Sequence, residues 1–273
     1  MTHTLAATRV AHHDDAPQAL VMLHGIYGRG RNWQGIARAL VAARPDIACW
    51  LVDLPYHGNS GAGRHGDTIS GLSQDVEDWL AAEGLRPAAV LGHSYGGKIA
   101  LAMASQAQDR RLQVWVIDST PEVKAPSGSA WDMLRVVRSL PGRFASRDDA
   151  QRGLMANGYD LPVAQWMATN LVRDGDAFTW QLDFDAMERL LLDFFSTDLW
   201  AAVEHPSPLH QVHILKATES NAISEAAVAR IERATGPQVH LHHREGGHWI
   251  HAERPGVVSA LLLEHLPLTT IDP

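Results

Sequence analysis

Gly92-His93-Ser94-Tyr95-Gly96 sets a serine between two glycines, directly behind an apolar run that ends at Leu91 and directly ahead of an alanine-rich helical segment reaching Gln106. A strand, a sharp turn and a helix force such a serine into a strained backbone conformation with its hydroxyl exposed, and the flanking glycines leave room for the neighbouring backbone to close around it. Ser94 is therefore a candidate nucleophile. The Tyr95 amide, at the start of the following helix, is placed to meet a developing oxyanion, and the helix dipole adds to that field. A second donor is expected from the Ile26 amide in His24-Gly25-Ile26-Tyr27-Gly28, where glycines follow a buried run and let the chain pass close to a ligand. A base is needed to take the serine proton. Among sixteen histidines, His248 stands out because Gly246-Gly247 permits a tight loop directly before it. The acid that orients it has two candidates. Asp118 follows the apolar run LQVWVI on a loop stiffened by Pro121, and Glu219 follows VHIL beside Ser220 and Asn221. The shorter, more rigidly held Asp118 is the preferred reading, with Glu219 as a polar wall of the pocket. In chain order these groups run serine, acid, histidine.

Each of these residues must be delivered by an element, and the periodicity supplies the elements. Short apolar runs at 19–23 (ALVML), 47–52 (IACWLV), 88–91, 112–117 (LQVWVI) and 212–215 (VHIL) read as buried strands, with 238–242 (QVHLH) alternating as an edge strand does. Helical spacing separates them: Asn32-Trp33 opens one helix through Ala42, Leu72, Val76, Trp79 and Leu80 mark another over 70–82, Glu225 to Arg233 forms a third, and Pro255 opens the last. The polar stretch before 19 has room for one or two edge strands. Alternation of this kind predicts a mostly parallel sheet flanked by helices, with ligands at the C-terminal edge of the strands. His24, Asp53, Ser94 and Asp118 all fall at that edge. Asp53, in the loop Asp53-Leu54-Pro55-Tyr56-His57-Gly58-Asn59-Ser60, is expected to brace the loop by hydrogen bonds rather than to do chemistry.

Between the strand rhythms, residues 122–206 change character. Helical patterns over 131–137, 148–155, 163–171 and 184–195 follow one another, and the segment carries Trp131, Trp166, Trp180 and Trp200. This predicts a helical lid inserted in a core formed by 1–121 and 207–273, with an apolar underside facing substrate. His24, Gly25, Tyr27 and Trp249 beside the catalytic loops, and Trp166 and Trp180 in the lid, are the expected substrate contacts.

The whole chain limits the possibilities further. Its 273 residues, 45% hydrophobic and 20% charged, suit one soluble catalytic unit, expected as a monomer or homodimer. No apolar run is long enough to span a bilayer, and the first ten residues lack the apolar stretch of a signal peptide, so a cytoplasmic location is expected. The lone Cys49 allows no internal disulfide and sits in a buried run. A net charge of −8 disfavours nucleic acid and anionic membranes as partners. His242-His243 and His251 lack companion ligands at metal spacing, so neither metal nor cofactor is expected.

Leu23-His24-Gly25, the 53–60 loop, Leu91-Gly92-His93-Ser94-Tyr95-Gly96-Gly97-Lys98 and Gly246-Gly247-His248-Trp249-Ile250-His251-Ala252-Glu253 together resemble the α/β-hydrolase superfamily over nearly the whole chain. Within it, Gly97-Lys98, Val116-Ile117-Asp118-Ser119-Thr120-Pro121, Thr169-Asn170-Leu171 and Phe178-Thr179-Trp180 resemble small bacterial carboxylesterases of the YbfF and ABHD11 type. The resemblance implies an α/β-hydrolase fold and a serine esterase acting on a small-molecule ester. It bears on the acid in two ways: most superfamily members carry it at the later position, as Glu219 would be, whereas the esterases carry an aspartate in the Asp118 context and often a non-acidic residue at position 219. Thioesterase, carbon–carbon bond hydrolase and perhydrolase chemistry would use the same three groups. Dehalogenases and epoxide hydrolases use a carboxylate nucleophile, which Ser94 disfavours. A ligand-binding member without catalysis is the reading from a different class.

Overall fold

The computed structural model describes residues 5–267. The ends of the expected core segments, 1–4 and 268–273, lie outside the described residues. The polar start yields one edge strand, β1 (Ala7–Ala11), and the buried runs become β2 (Gln18–Leu23), β3 (Ile47–Val52), β4 (Pro87–His93) and β5 (Leu112–Ile117). Between them lie α1 (Gln34–Ala43), entered through a 3-10 turn at Gly30–Trp33, α2 (Ile69–Ala82) and α3 (Tyr95–Gln106). Thr68 starts α2 by accepting the Gly71 amide on its hydroxyl at 2.9 Å. Cys49 is fully buried, and burial pushes its thiol up to about 12.

After β5 the chain builds α4 (Ser129–Ser139), β6 (Arg143–Phe144), α5 (Arg147–Ala156), α6 (Leu161–Ala168), β7 (Leu171–Asp174), β8 (Ala177–Trp180), α7 (Phe184–Ser196) and α8 (Trp200–Glu204). It returns to the sheet through β9 (His210–Ala217), α9 (Glu225–Ala234), β10 (Val239–Arg244), α10 (Ile250–Glu253) and α11 (Pro255–His265).

The main sheet has seven strands in the order β1-β3-β2-β4-β5-β9-β10. Only β1 runs antiparallel to its neighbour. The central strands are buried along nearly their whole length, as strands covered on both faces must be. On one face Trp33, Ile36 and Leu40 pack with Leu261 and Leu262 of α11; on the other, Val76, Ile99 and Leu101 pack with α8 and α9 residues such as Val203 and Ile231. This is the α/β-hydrolase architecture, a mostly parallel sheet flanked by helices.

The segment between β5 and β9 departs from the expectation of helices alone. Residues 171–180 form a hairpin, extended by β6 into a three-stranded antiparallel sheet in the order β6-β8-β7. The helix expected over 163–171 therefore stops at Ala168, and Gly175 turns the chain with a φ of 64°. The α-helices between β6 and β7 are well capped: Ser146 and Asp149 form a capping box at α5, and Asp160 caps α6.

Candidate active site

Ser94 sits on the turn between β4 and α3 with φ 50° and ψ −114°, a conformation L-residues rarely adopt. The turn is too tight for side chains on either flank: a Cβ on Gly92 would lie 2.0 Å from the Gly96 carbonyl oxygen, and one on Gly96 would lie 2.6 Å from the carbonyl oxygens of His24 and Leu23. The Ser94 amide donates to the Ile117 carbonyl at 3.0 Å, which ties the turn to β5. The amides of Tyr95 and Ile26 have no acceptor among the described residues. Both residues border the same cavity as the Ser94 hydroxyl.

The two other groups come from loops past β5 and β10. The Ser94 hydroxyl donates to His248 Nε2 at 3.1 Å, and His248 Nδ1 donates to Asp118 Oδ2 at 2.7 Å. A carboxylate can only accept, so this contact fixes the proton on Nδ1 and leaves Nε2 free to accept. Asp118 is fully buried, and its second oxygen accepts the Ala217 amide at 3.1 Å. Glu219 is exposed, and its side chain makes no hydrogen bond or ion pair with His248 among the described residues. Its backbone instead bonds the Gly246 carbonyl at 3.0 Å, holding the loop that carries His248. Of the two candidate acids, then, the geometry brings Asp118 to the histidine, and Glu219 borders the cavity beyond it.

Two supports of this loop had escaped the sequence reading. His93 Nε2 donates to the His248 carbonyl at 2.7 Å, and Glu253 accepts the Gly247 amide at 2.8 Å. Burial, reinforced by the neighbouring His251 and His248, holds His93 well below the usual histidine range, so it stays neutral. The position of His93 within the serine motif was the available signal, since the residue before the nucleophile must face the loops beside it.

The Ile26 amide is positioned by a reciprocal pair of histidines. His24 Nε2 accepts the Leu54 amide at 3.0 Å, and His57 Nε2 accepts the Tyr27 amide at 3.1 Å. Each ring keeps its proton on Nδ1, which donates to the carbonyl of Gly25 and of Pro55 respectively, both at 2.8 Å. Burial lowers His24 to about 4 and His57 to about 3. Asp53 adds the bracing expected of it, accepting the Gly30 amide at 2.8 Å and the Asn59 amide at 2.9 Å. From the other side, fully buried Asn170 donates to the Tyr27 carbonyl at 2.8 Å and so fastens residues 24–28 to the inserted segment.

Two cavities meet at Ser94 and His248. One, of about 490 Å³, is bordered by His24, Gly25, Ile26, Tyr27, Met133, Val163, Trp166 and Trp249. The other, of about 450 Å³, is bordered by Ser119, Thr120, Lys124, Ser129, Glu219 and Asn221 together with Phe194 and Phe195. Trp166 and Trp249 face one another across the first, with ring centroids 5.6 Å apart. Trp180 is not at either cavity, which corrects its expected substrate contact. It packs edge-on against Phe144 and Phe184 at 5.7 and 6.0 Å, as the apolar filling of the small sheet. Among the described residues no group of three or more His, Cys, Asp and Glu side chains is arranged to hold a metal ion, and no helix is long and apolar enough to cross a membrane.

Comparison with known proteins gives this arrangement its context. The model of the alpha/beta hydrolase family matches residues 20–261. The sn-1-specific diacylglycerol lipase ABHD11 of Mus musculus is 28% identical over 246 residues, covering 87% of this chain and 77% of that one. Among solved structures, an esterase from a marine microorganism superposes with a TM-score of 0.82 at 22% identity, covering 96% of this chain and 99% of that one. An E-2-(acetamidomethylene)succinate hydrolase superposes with a TM-score of 0.77 at 19% identity over 95% of this chain and 94% of its own. With its family match spanning all but the ends, and with a sheet that carries a strained serine on the turn after β4, the chain belongs to the alpha/beta hydrolase family.

Proposed function

We propose that the protein hydrolyses carboxylic esters through an acyl-enzyme formed on Ser94. The observation that carries this reading is the unbroken relay from the Ser94 hydroxyl through His248 to Asp118, at 3.1 and 2.7 Å. His248 Nε2 takes the hydroxyl proton as Ser94 Oγ attacks the acyl carbonyl, and Asp118 stabilises the imidazolium that results. The Ile26 and Tyr95 amides hold the oxyanion. His248 then returns the proton to the departing alcohol, and a water activated by the same nitrogen splits the acyl-enzyme into acid and free Ser94.

In this reading the apolar cavity beneath Met133, Val163 and Trp166 takes the acyl chain, and the cavity bordered by Ser119, Lys124 and Asn221 takes the alcohol. The inserted segment 122–206 acts as the lid that shapes both. The name of the mouse relative, a diacylglycerol lipase, fits a site with two chambers, the second carrying polar groups such as Ser119, Lys124 and Asn221 among its apolar ones.

Ser94→Ala, assayed on p-nitrophenyl esters of graded acyl length, is expected to lose on the order of 10⁶ in turnover with an unchanged circular dichroism spectrum. A fluorophosphonate is expected to label Ser94 alone. Near-wild-type turnover by the purified variant contradicts the mechanism.

A further inference from the structure

Many arginines in this acidic chain are matched to carboxylates, among them Arg44 to Asp46, Arg110 to Glu77, Arg138 to Asp185 and Glu188, Arg189 to Asp67, Arg230 to Glu204. Of the arginines in no ion pair among the described residues, Arg29, Arg31, Arg147 and Arg173 share one place. They border a single basin of about 500 Å³, away from Ser94, and none of them is in an ion pair among the described residues. Of the acids near them in sequence, Asp149 pairs with Arg152 and Asp174 with Arg143, while Asp148, beside Arg147, is exposed and makes no ion pair among the described residues. Asp53, which attracts Arg29, has its oxygens on the Gly30 and Asn59 amides.

Uncharged groups hold three of these guanidinium groups in place. Arg29 donates to the side-chain carbonyls of Asn170 at 3.3 Å and Gln181 at 2.8 Å. Arg147 donates to the Ala168 carbonyl, and Arg147 and Arg173 both lie 5.1 Å from the ring centre of Phe178. Such contacts orient a guanidinium without neutralising it. Partial burial lowers Arg29 from its ordinary value, and the like charges of Arg31 and Arg147 add to that. Four like charges gathered in one basin repel one another, and in a chain of net charge −8 nothing about overall composition requires it. A multiply charged anion would relieve the repulsion, and a tetrahedral phosphate presents the oxygen pairs that guanidinium forks bind bidentately.

We propose that this basin binds a phosphate-bearing group. Arg29 and Arg31 belong to the sheet core, Arg147 and Arg173 to the inserted segment, so the bound phosphate would bridge the two. The basin also shares supporting elements with the reacting site. Arg29 directly follows Gly28, and Gln165 and Ala168 border the basin from the helix whose Trp166 borders the first Ser94 cavity. The proposal concerns binding, and it does not depend on hydrolysis at Ser94.

Isothermal titration of the wild-type protein with sodium pyrophosphate at low salt tests it. Saturable one-to-one binding is expected, weakened by added sodium chloride and weakened at least about tenfold in the Arg31→Ala/Arg173→Ala double variant. Arg38→Ala, an exposed α1 arginine outside the basin, is expected to bind as wild type. Hydrolysis of p-nitrophenyl octanoate and the circular dichroism spectrum are expected to be the same in all three proteins, which separates loss of the site from loss of the fold. Two further arms identify the source of the phosphate. A rate advantage of octanoyl-coenzyme A over the nitrophenyl ester that disappears in the double variant assigns it to a soluble phosphoester. Sedimentation with phosphatidylglycerol-containing vesicles, absent with phosphatidylcholine alone and reversed by pyrophosphate, assigns it to a lipid headgroup. Absence of saturable pyrophosphate binding by the wild type, or binding that survives the double substitution, overturns the proposal.

Discussion

Two groups of histidines in this molecule use the same side chain for opposite ends. Around Ser94, His248 lies between His93, at 4.8 Å, and Trp249, at 6.3 Å, with Asp118 and the serine hydroxyl on its two nitrogens. On β9, β10 and α11, His213, His240, His242 and His265 stack on one another and on Trp115, with His213 Nδ1 and His242 Nε2 3.1 Å apart. In the second group His213, His240 and His242 have no carboxylate partner among the described residues, and only His265, at its edge, lies near one, 3.7 Å from Glu264. The rings of this group exchange hydrogen bonds with each other and with Gln113 and Gln211, and they fill space between strand and helix. What distinguishes a base from packing here is a buried carboxylate on one ring nitrogen and a hydroxyl on the other. Burial among neighbouring imidazoles instead lowers His213, His240 and His242 from the ordinary histidine value.

The sharpest way to break this contrast is to delete one histidine from each group. His248→Ala is expected to lose on the order of 10⁶ in turnover, close to the loss from Ser94→Ala, because members of one relay fail together. His242→Ala is expected to keep wild-type turnover. A tenfold or greater loss in the latter would mean that the stacked group reaches the reaction after all. Next in size is the pair of tryptophans. Trp166→Ala is expected to change the ratio of rates on short and long acyl esters by about tenfold, since it borders the cavity assigned to the acyl chain. Trp180→Ala is expected to lower the melting temperature and leave that ratio unchanged, because it packs within the small sheet.

The smallest expected effect concerns acid. Burial, with the nearby His240 and His242, lowers His213 to about 3, and burial with His265 lowers His242 to about 4, against 6.5 for an unperturbed histidine. The unfolded chain therefore takes up protons first as pH falls. Stability from these rings is fully present above about pH 6.5 and is lost as pH drops toward 3. His213→Phe keeps the stack and removes one titrating group, so its acid-unfolding midpoint, followed by circular dichroism, is expected to move to lower pH with unchanged turnover at pH 7. A midpoint that stays in place would show that this ring does not govern acid stability.

The core was far more legible in the sequence than the insertion, for a physical reason. A strand covered on both faces is written as an unbroken apolar run, and 47–52 and 112–117 matched β3 and β5 residue for residue. The half-exposed strands of the small sheet carry no such run. Leu171 reads as the end of a helix until Asp174-Gly175 is taken as a hairpin turn between Val172 and Phe178, which was the signal available. At the site, the strained serine and the loop histidine were legible because glycines must flank them. The choice between Asp118 and Glu219 was less so, since it depends on which loop end reaches His248 in space. Trp180 was misplaced because aromatic content marks an apolar interior without saying which side of a helix or strand faces it. His57 and His93 were missed because their work is to hold backbone, which leaves no spacing pattern.

The relay from Ser94 through His248 to Asp118 is the central claim, and the side-by-side turnover of Asp118→Asn and Glu219→Gln on one ester tests it most directly. The account predicts a loss of up to about 10⁴ in kcat for Asp118→Asn, with substrate binding retained, and little change for Glu219→Gln. A large loss confined to Glu219→Gln, with Asp118→Asn near wild type, would contradict it.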